Sequence, residues 1–115
     1  LSESCEMVVN LKGNATITLS NDNGEKVVMY YDAKAETFSM DRTKSGKVDF
    51  SNDFAATTQA PTYGKISQLR IFIDKSSIEV LDAEGKMAMT NLVFPTKPYN
   101  KVTVKGGKYQ VYHIK

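Results

Sequence analysis

At 115 residues, with 41% hydrophobic and 24% charged, the chain is the size of one domain and has enough apolar sequence for one core. The net charge is only +2, and the 15 basic residues are scattered lysines apart from Arg42 and Arg70, which excludes the clustered, arginine-bearing footprint of a nucleic-acid binder. Cys5 is the single cysteine, so no internal disulfide can form, and no apolar run approaches the ~20 residues of a membrane-spanning helix.

The dominant period is two. "MVVNLKGNATITLSNDNGEKVVMYYD" divides into short β-rich runs separated by turn residues. Ile17 and Leu19 point one way, and Thr16, Thr18 and Ser20 the other. Asn21-Asp22-Asn23-Gly24 supplies a turn, because Gly and Asn tolerate positive φ, and residues 27–31 are predicted as the return strand of a hairpin. A strand over 36–42 follows, with Phe38 and Met40 on one face, and Ser45-Gly46 turns the chain. Residues 50–63 read as a looser segment ending near Pro61. Residues 68–74 alternate again, Leu69, Ile71 and Ile73 against Arg70, Phe72 and Asp74. Ile78, Val80 and Leu81 continue beyond a polar centre, Ala83-Glu84-Gly85-Lys86 is a turn, and residues 87–94 return. Two strands, 101–104 and 109–114, close the chain, with Gly106-Gly107 between them. There is no amphipathic helix of three turns, no linker and no internal repeat. The fold class predicted is all-β: two antiparallel sheets packed face to face in one domain over residues 1–115.

The chain begins at Leu1, without methionine or signal peptide, as expected of a mature protein or a piece of a longer one. Cys5, near that end, reads as an incidental small residue, and the cysteine count leaves the compartment open.

Little in the sequence looks like a reacting centre. His113 is the only histidine, so any Ser-His-Asp triad would have to be built on it, and zinc lacks a ligand set. His113 is read instead as a polar-face strand residue. "SNDNGE" lacks the distant bidentate Glu of a calcium loop and reads as a solvated turn. Asn14-Ala15-Thr16 matches the N-glycosylation tripeptide, which occurs often by chance. No metal or cofactor is expected. The best carboxylate pair is Asp74 and Glu79, in "DKSSIE". A glycosidase pair lies ~5 to ~9.5 Å apart, which a turn at Lys75-Ser76-Ser77 could meet. A glycosidase also needs a cleft with aromatic or hydrogen-bonding walls, whereas this chain has no Trp and the flanking Ile73, Ile78 and Val80 look like core. Asp and Ser side chains bond nearby backbone N–H groups and fix tight turns, so a structural role is favoured. The expectation is that Asp74 caps its turn through the Ser76 or Ser77 N–H, and that Asp74 or Glu79 pairs with Arg42.

Two stretches, "MDRTKSGKVDF" and "LRIFIDKSSIEVLDAEGKMAMTNLVFP", resemble the C-terminal module of glycoside hydrolase family 32, which includes levanases, inulinases, invertases and sucrose-6-phosphate hydrolases. That module shows an Asp-Arg near a Ser-Gly, then Asp-x-Ser-Ser-x-Glu-Val, a Gly turn, and a strand ending in Phe-Pro. Asp41, Arg42, Ser45, Gly46, Asp74, Ser76, Ser77, Glu79, Val80, Gly85, Phe94 and Pro95 stand at these places, in order. The family often has an aromatic two residues after the Glu, where this chain has Leu81.

The resemblance implies a concanavalin- or lectin-like jelly-roll sandwich. It also implies that catalysis belongs to an N-terminal five-bladed propeller, whose motifs resemble Trp-x-Asn-Asp-Pro-x-Gly, Arg-Asp-Pro and Glu-Cys. None of these occurs here. The expected function is a non-catalytic module that packs on and stabilises the propeller of the same parent chain. In some relatives it also takes part in dimerisation and lines the approach to the active site. The expected parent is secreted, periplasmic or at the cell surface, with a cytoplasmic one as the alternative. Two rival functions stand beside it. One is a carbohydrate-binding module holding fructan, for which Tyr30, Tyr31, Tyr63, Tyr99, Tyr109 and Tyr112 are available. The other is a small glycosidase using Asp74 and Glu79.

Overall fold

The computed structural model describes residues 4–46, 57–93 and 95–113; Phe94, Ile114 and the first half (50–56) of the looser 50–63 segment lie outside the described residues. Among the described residues eight strands follow one another: β1 (Cys5–Ser20), β2 (Lys26–Asp32), β3 (Thr37–Lys44), β4 (Thr57–Pro61), β5 (Gln68–Ile73), β6 (Ser77–Asp82), β7 (Ala88–Leu92) and β8 (Lys101–His113). None of the described residues is helical, and no helix is long and apolar enough to cross a membrane.

All pairings are antiparallel, in the order β4-β3-β2-β1-β5-β6-β7, with β8 alongside β1. The two layers of the sandwich are formed by one long strand shared between them. The first half of β1 pairs with β5, from Cys5↔Ile73 to Asn10↔Gln68. Its second half pairs with β2, from Ala15↔Tyr31 to Ser20↔Lys26. Hydrogen bonds then cross the gap between layers: Asn91 Nδ2 donates to Thr58 Oγ1 at 3.0 Å, and the Ile66 N–H to the Tyr31 hydroxyl at 3.0 Å.

The period of two explains the core. Odd positions of β1 (Cys5, Met7, Val9, Ile17, Leu19) turn inward, facing Met29, Phe38, Met40, Leu69, Ile71, Ile78 and Val80, all buried. Each such side chain contributes about 1.5–3 kcal/mol on leaving water, the main favourable term for a sandwich without a disulfide.

Three elements differ from the sequence reading. Thr57–Pro61, within the segment read as looser, is strand β4, paired with β3 from Thr37↔Pro61 to Asp41↔Thr57; its side chains alternate between exposed and half-buried, so no apolar stripe announces it. β1 is one strand of 16 residues rather than several short runs, because the irregularity between Leu11 and Thr16 is a bulge that bends the strand without ending it. β8 is likewise one strand, running through Gly106-Gly107 where the sequence reads as two strands. A Cβ on Gly106 would lie 2.1 Å from the Asn14 carbonyl oxygen, and one on Gly107 2.5 Å from that of Asn10. The pair has no side chains because β8 must cross the β1 bulge at backbone contact; Gly106 also has φ +88.

Candidate functional site

The family-like residues fall into two groups. Asp74, Ser77 and Glu79 line a hollow of about 280 Å³ with Ser4, Phe72, Ile73 and Thr90. The Asp74 N–H donates to the Ser77 carbonyl at 2.9 Å and closes the β5–β6 turn. Asp74 Oδ1 accepts the Lys75 N–H at 2.7 Å and the Ser4 hydroxyl at 2.8 Å, and these two bonds hold the exposed carboxyl below the usual carboxylate range. Glu79 stands on the outer face of β6, where Oε2 accepts the Thr90 hydroxyl of β7 at 3.4 Å.

The second group lies between the layers. Asp41 faces outward; Oδ1 accepts the Thr43 hydroxyl at 2.7 Å and the Thr43 N–H at 2.9 Å, which lowers its pKa. Arg42, the next residue, turns inward and is 4% exposed. Burial lowers its pKa, and Nη1 donates to the Leu92 carbonyl of β7 at 2.6 Å. Ser45, fully buried, donates to the Arg42 carbonyl through its hydroxyl at 2.8 Å and its N–H at 3.1 Å. From the other side the Val93 N–H donates to the Ser76 carbonyl at 3.0 Å. Arg42 and Ser76, 34 positions apart in sequence, therefore grip adjacent residues of the segment that leads to Pro95.

Two expectations are corrected here. Arg42 reaches neither Asp74 nor Glu79, because strand alternation points it into the inter-layer space while both carboxylates are exposed. The Asp74 carboxylate accepts the Lys75 N–H, not the N–H of Ser76 or Ser77; its tie to Ser77 runs instead from the Asp74 N–H to the Ser77 carbonyl.

Other polar ties escaped the sequence reading. Glu25 accepts from Thr96 N–H and Oγ1 at 2.8 Å each and from Asn21 Nδ2 at 2.9 Å. Burial alone would raise its pKa; these bonds, with the Lys97 N–H, lower it overall. The Tyr99 hydroxyl donates to the Ser45 carbonyl at 2.5 Å, and burial, seconded by the negative charge of Glu25, pushes its pKa well up. These partners lie 71 and 54 residues apart, so no local pattern could reveal them.

A second hollow, of about 430 Å³, opens on the outer face of β8, β1 and β5. It is lined by Glu6, Val8, Gln68, Arg70, Ala83 and Tyr112.

Comparison with known proteins places this arrangement. A family model described as "Glycosyl hydrolases family 32 C terminal" matches residues 4–115. The extracellular exo-inulinase of Aspergillus niger is 32% identical over 98 residues, which are 83% of this chain and 17% of that protein. The levanase of Bacillus sp. strain L7 is 30% identical over 100 residues, 84% of this chain and 11% of that one. The chain thus spans less than a fifth of the length of these curated relatives. Among solved structures, the exo-inulinase of Aspergillus awamori shares the fold with TM-score 0.84 at 23% identity, over 99% of this chain and 25% of that one. The sucrose-6-phosphate hydrolase of Lactobacillus gasseri does so with TM-score 0.80 at 22% identity, again over 99% and 25%. The match over residues 4–115, with the sandwich that accompanies it, makes this chain a member of the C-terminal family of the family 32 glycosyl hydrolases.

Proposed function

We propose that this chain is the non-catalytic C-terminal module of a fructan- or sucrose-active glycoside hydrolase. In this reading it packs on the catalytic propeller of the same parent chain and stabilises it, with a contact between two copies as a further role. The observation that carries the proposal is the family match over residues 4–115 of a chain spanning 17% of a curated exo-inulinase. The geometry supports it. Asp41, Arg42, Ser45, Gly46, Asp74, Ser76, Ser77, Glu79, Phe94 and Pro95 are read as scaffold: Asp74 and Ser77 close a turn, Arg42, Ser45 and Ser76 tie strand ends, Asp41 bonds Thr43, and Glu79 bonds Thr90 across β6 and β7.

The test has two arms. The chain alone, incubated with levan, inulin and sucrose, releases no fructose. Fused to a family 32 propeller stripped of its own C-terminal module, it raises the melting temperature of the propeller. Fructose release that disappears with Asp74→Asn or Glu79→Gln would restore the enzyme reading, and a fusion that melts no higher would remove the stabilising role.

A second role, holding fructan for the propeller, is favoured by one observation, the hollow beside Tyr112.

A further inference from the structure

The geometry points to the β8–β1–β5 hollow as a binding site for a fructosyl unit of a neutral oligosaccharide, with Tyr112 as the stacking platform and Glu6, Arg70 and Gln68 as the hydrogen-bonding wall. This inference rests on the second reading above, that the module holds fructan, and specifies where and by which atoms.

The strand register assembles the site. Glu6 of β1 lies between Tyr112 of β8 and Phe72 of β5, and Val8 lies between Gln110 and Arg70. Tyr112 is 49% exposed, so its ring offers an apolar face to solvent at the rim. Its hydroxyl donates to Gln110 Oε1 at 2.5 Å, which fixes the ring. Val8 and Ala83 supply the apolar lining. Rings of sugars present C–H groups on their faces and hydroxyls around their edges, and an amphipathic aromatic beside planar polar groups matches both.

The polar groups are held in place, each with hydrogen-bonding capacity to spare. Arg70 engages Glu6 through Nε and Nη2, and both contacts fall on Oε2. No hydrogen bond among the described residues falls on Glu6 Oε1 or Arg70 Nη1, which remain an acceptor and a donor for a ligand. Arg70 is steadied further by the Phe72 ring, 5.7 Å from its Cζ. Gln68 Nε2 donates to Asn10 Oδ1 at 2.9 Å, leaving Gln68 Oε1 for the ligand. Side chains fixed beforehand lose little freedom on binding.

The charge balance selects the ligand class. Glu6 and Arg70 neutralise one another, and the remaining lining residues of the hollow are uncharged. A phosphate or carboxylate would meet Glu6, and a cation would meet Arg70, whereas a neutral polyol uses both. The volume of about 430 Å³ lies within the ~300–1,000 Å³ of small-ligand sites and is open enough for a chain to continue past it. Relatives named as exo-inulinase and levanase make the fructosyl unit the sugar to test.

The test is a titration of the 115-residue chain with inulin-type and levan-type fructo-oligosaccharides, read by backbone and Arg Nε–H chemical shifts. Shifts are expected at Glu6, Gln68, Arg70 and Tyr112, with half-saturation near 1 mM or below, the weak range of a single sugar subsite. Tyr112→Ala is expected to weaken binding about tenfold, the loss of roughly one aromatic contact, and Tyr112→Phe to retain it. Both variants should unfold at the wild-type urea midpoint. Binding that persists unchanged in Tyr112→Ala and in Glu6→Gln would overturn this site while sparing the fructan-holding role. No shift at any residue up to saturating sugar would overturn both, and the accessory role on the propeller would stand alone.

Discussion

Arg42 and Leu92 belong to opposite layers of the sandwich, and the 2.6 Å bond from Arg42 Nη1 to the Leu92 carbonyl joins them. Deleting the donor removes a charged hydrogen bond from a part-buried carbonyl. Hydrogen bonds involving a charged group are worth about 1.5–3 kcal/mol. Domains have only ~5–15 kcal/mol in total. Arg42→Met, which keeps an apolar stem, should therefore lower the urea midpoint clearly at constant m-value, and Arg42→Lys should recover only part, lacking the planar fork. A wild-type midpoint in Arg42→Met would remove this contact from the list of supports.

Gly106 and Gly24 both have positive φ, at +88 and +78, but only Gly106 faces backbone. An added Cβ at Gly24 meets nothing within 4 Å, whereas at Gly106 it lies 2.1 Å from the Asn14 carbonyl oxygen. Unfavourable φ alone costs on the order of 1 kcal/mol. Gly24→Ala should lose about that much, and Gly106→Ala distinctly more, because β8 must lift from the β1 bulge. Equal losses in thermal unfolding would show that the close approach relaxes without cost.

These two cases mark what a one-dimensional reading can reach. The inward set Ile17, Leu19, Phe38, Met40, Leu69, Ile71 and Ile73 was legible because burial on one face of a strand imposes a local period of two. The division into two strands at Gly106-Gly107 is absent because a glycine pair marks a strand break and a close backbone approach alike, and only the partner strand distinguishes them. The Arg42 partner was misread because charge suggested a carboxylate, while the alternation that buries Phe38 and Met40 also buries Arg42. Its partner is a carbonyl, which no residue type announces. The hollow beside Tyr112 draws on β1, β5 and β8, so no single segment carries its signature.

Acid should destabilise the fold. Asp22, Glu25, Asp41 and Asp74 all have carboxyls lowered from their ordinary values: Asp22 by the Lys101 side chain first, Asp41 by Thr43, Asp74 by the Lys75 N–H, and Glu25 by bonds that outweigh its burial. With folded pKa values below unfolded ones, the unfolded chain binds more protons as pH falls through about 4 and below. The stabilisation is complete above the unfolded values and lost on the way down through the folded ones. The urea midpoint should stay level from neutral pH to about 5 and then drop. Glu25→Gln should lower the neutral midpoint and flatten the acid limb, since the amide accepts from Thr96 without the charge that strengthens those bonds and does not titrate. An acid limb as steep as wild type would assign the effect to other carboxylates.

At the alkaline end the relevant group is Tyr99. Its ring is 4% exposed and its hydroxyl gives its proton to the Ser45 carbonyl, next to the turn that also holds Arg42. Ionisation would bury a phenolate, place it near the charge of Glu25 and abolish the donated bond, which is why the pKa is raised. In the unfolded chain the same phenol ionises near pH 10. A group with a raised folded pKa contributes its stability in full below the unfolded value and loses it as pH climbs toward the folded one. The urea midpoint should therefore fall above about pH 10, and Tyr99→Phe should blunt that fall. At neutral pH the variant should cost only about 0.5–1.5 kcal/mol, the worth of one neutral hydrogen bond, because the ring still fills its place. Phenolate absorbance gives an independent reading. Tyr99 should ionise only as the fold is lost, and Tyr99→Phe should reduce the late amplitude by one phenol. If the variant keeps the full late amplitude, another tyrosine carries it, and the alkaline limit of the fold does not run through the Tyr99–Ser45 tie.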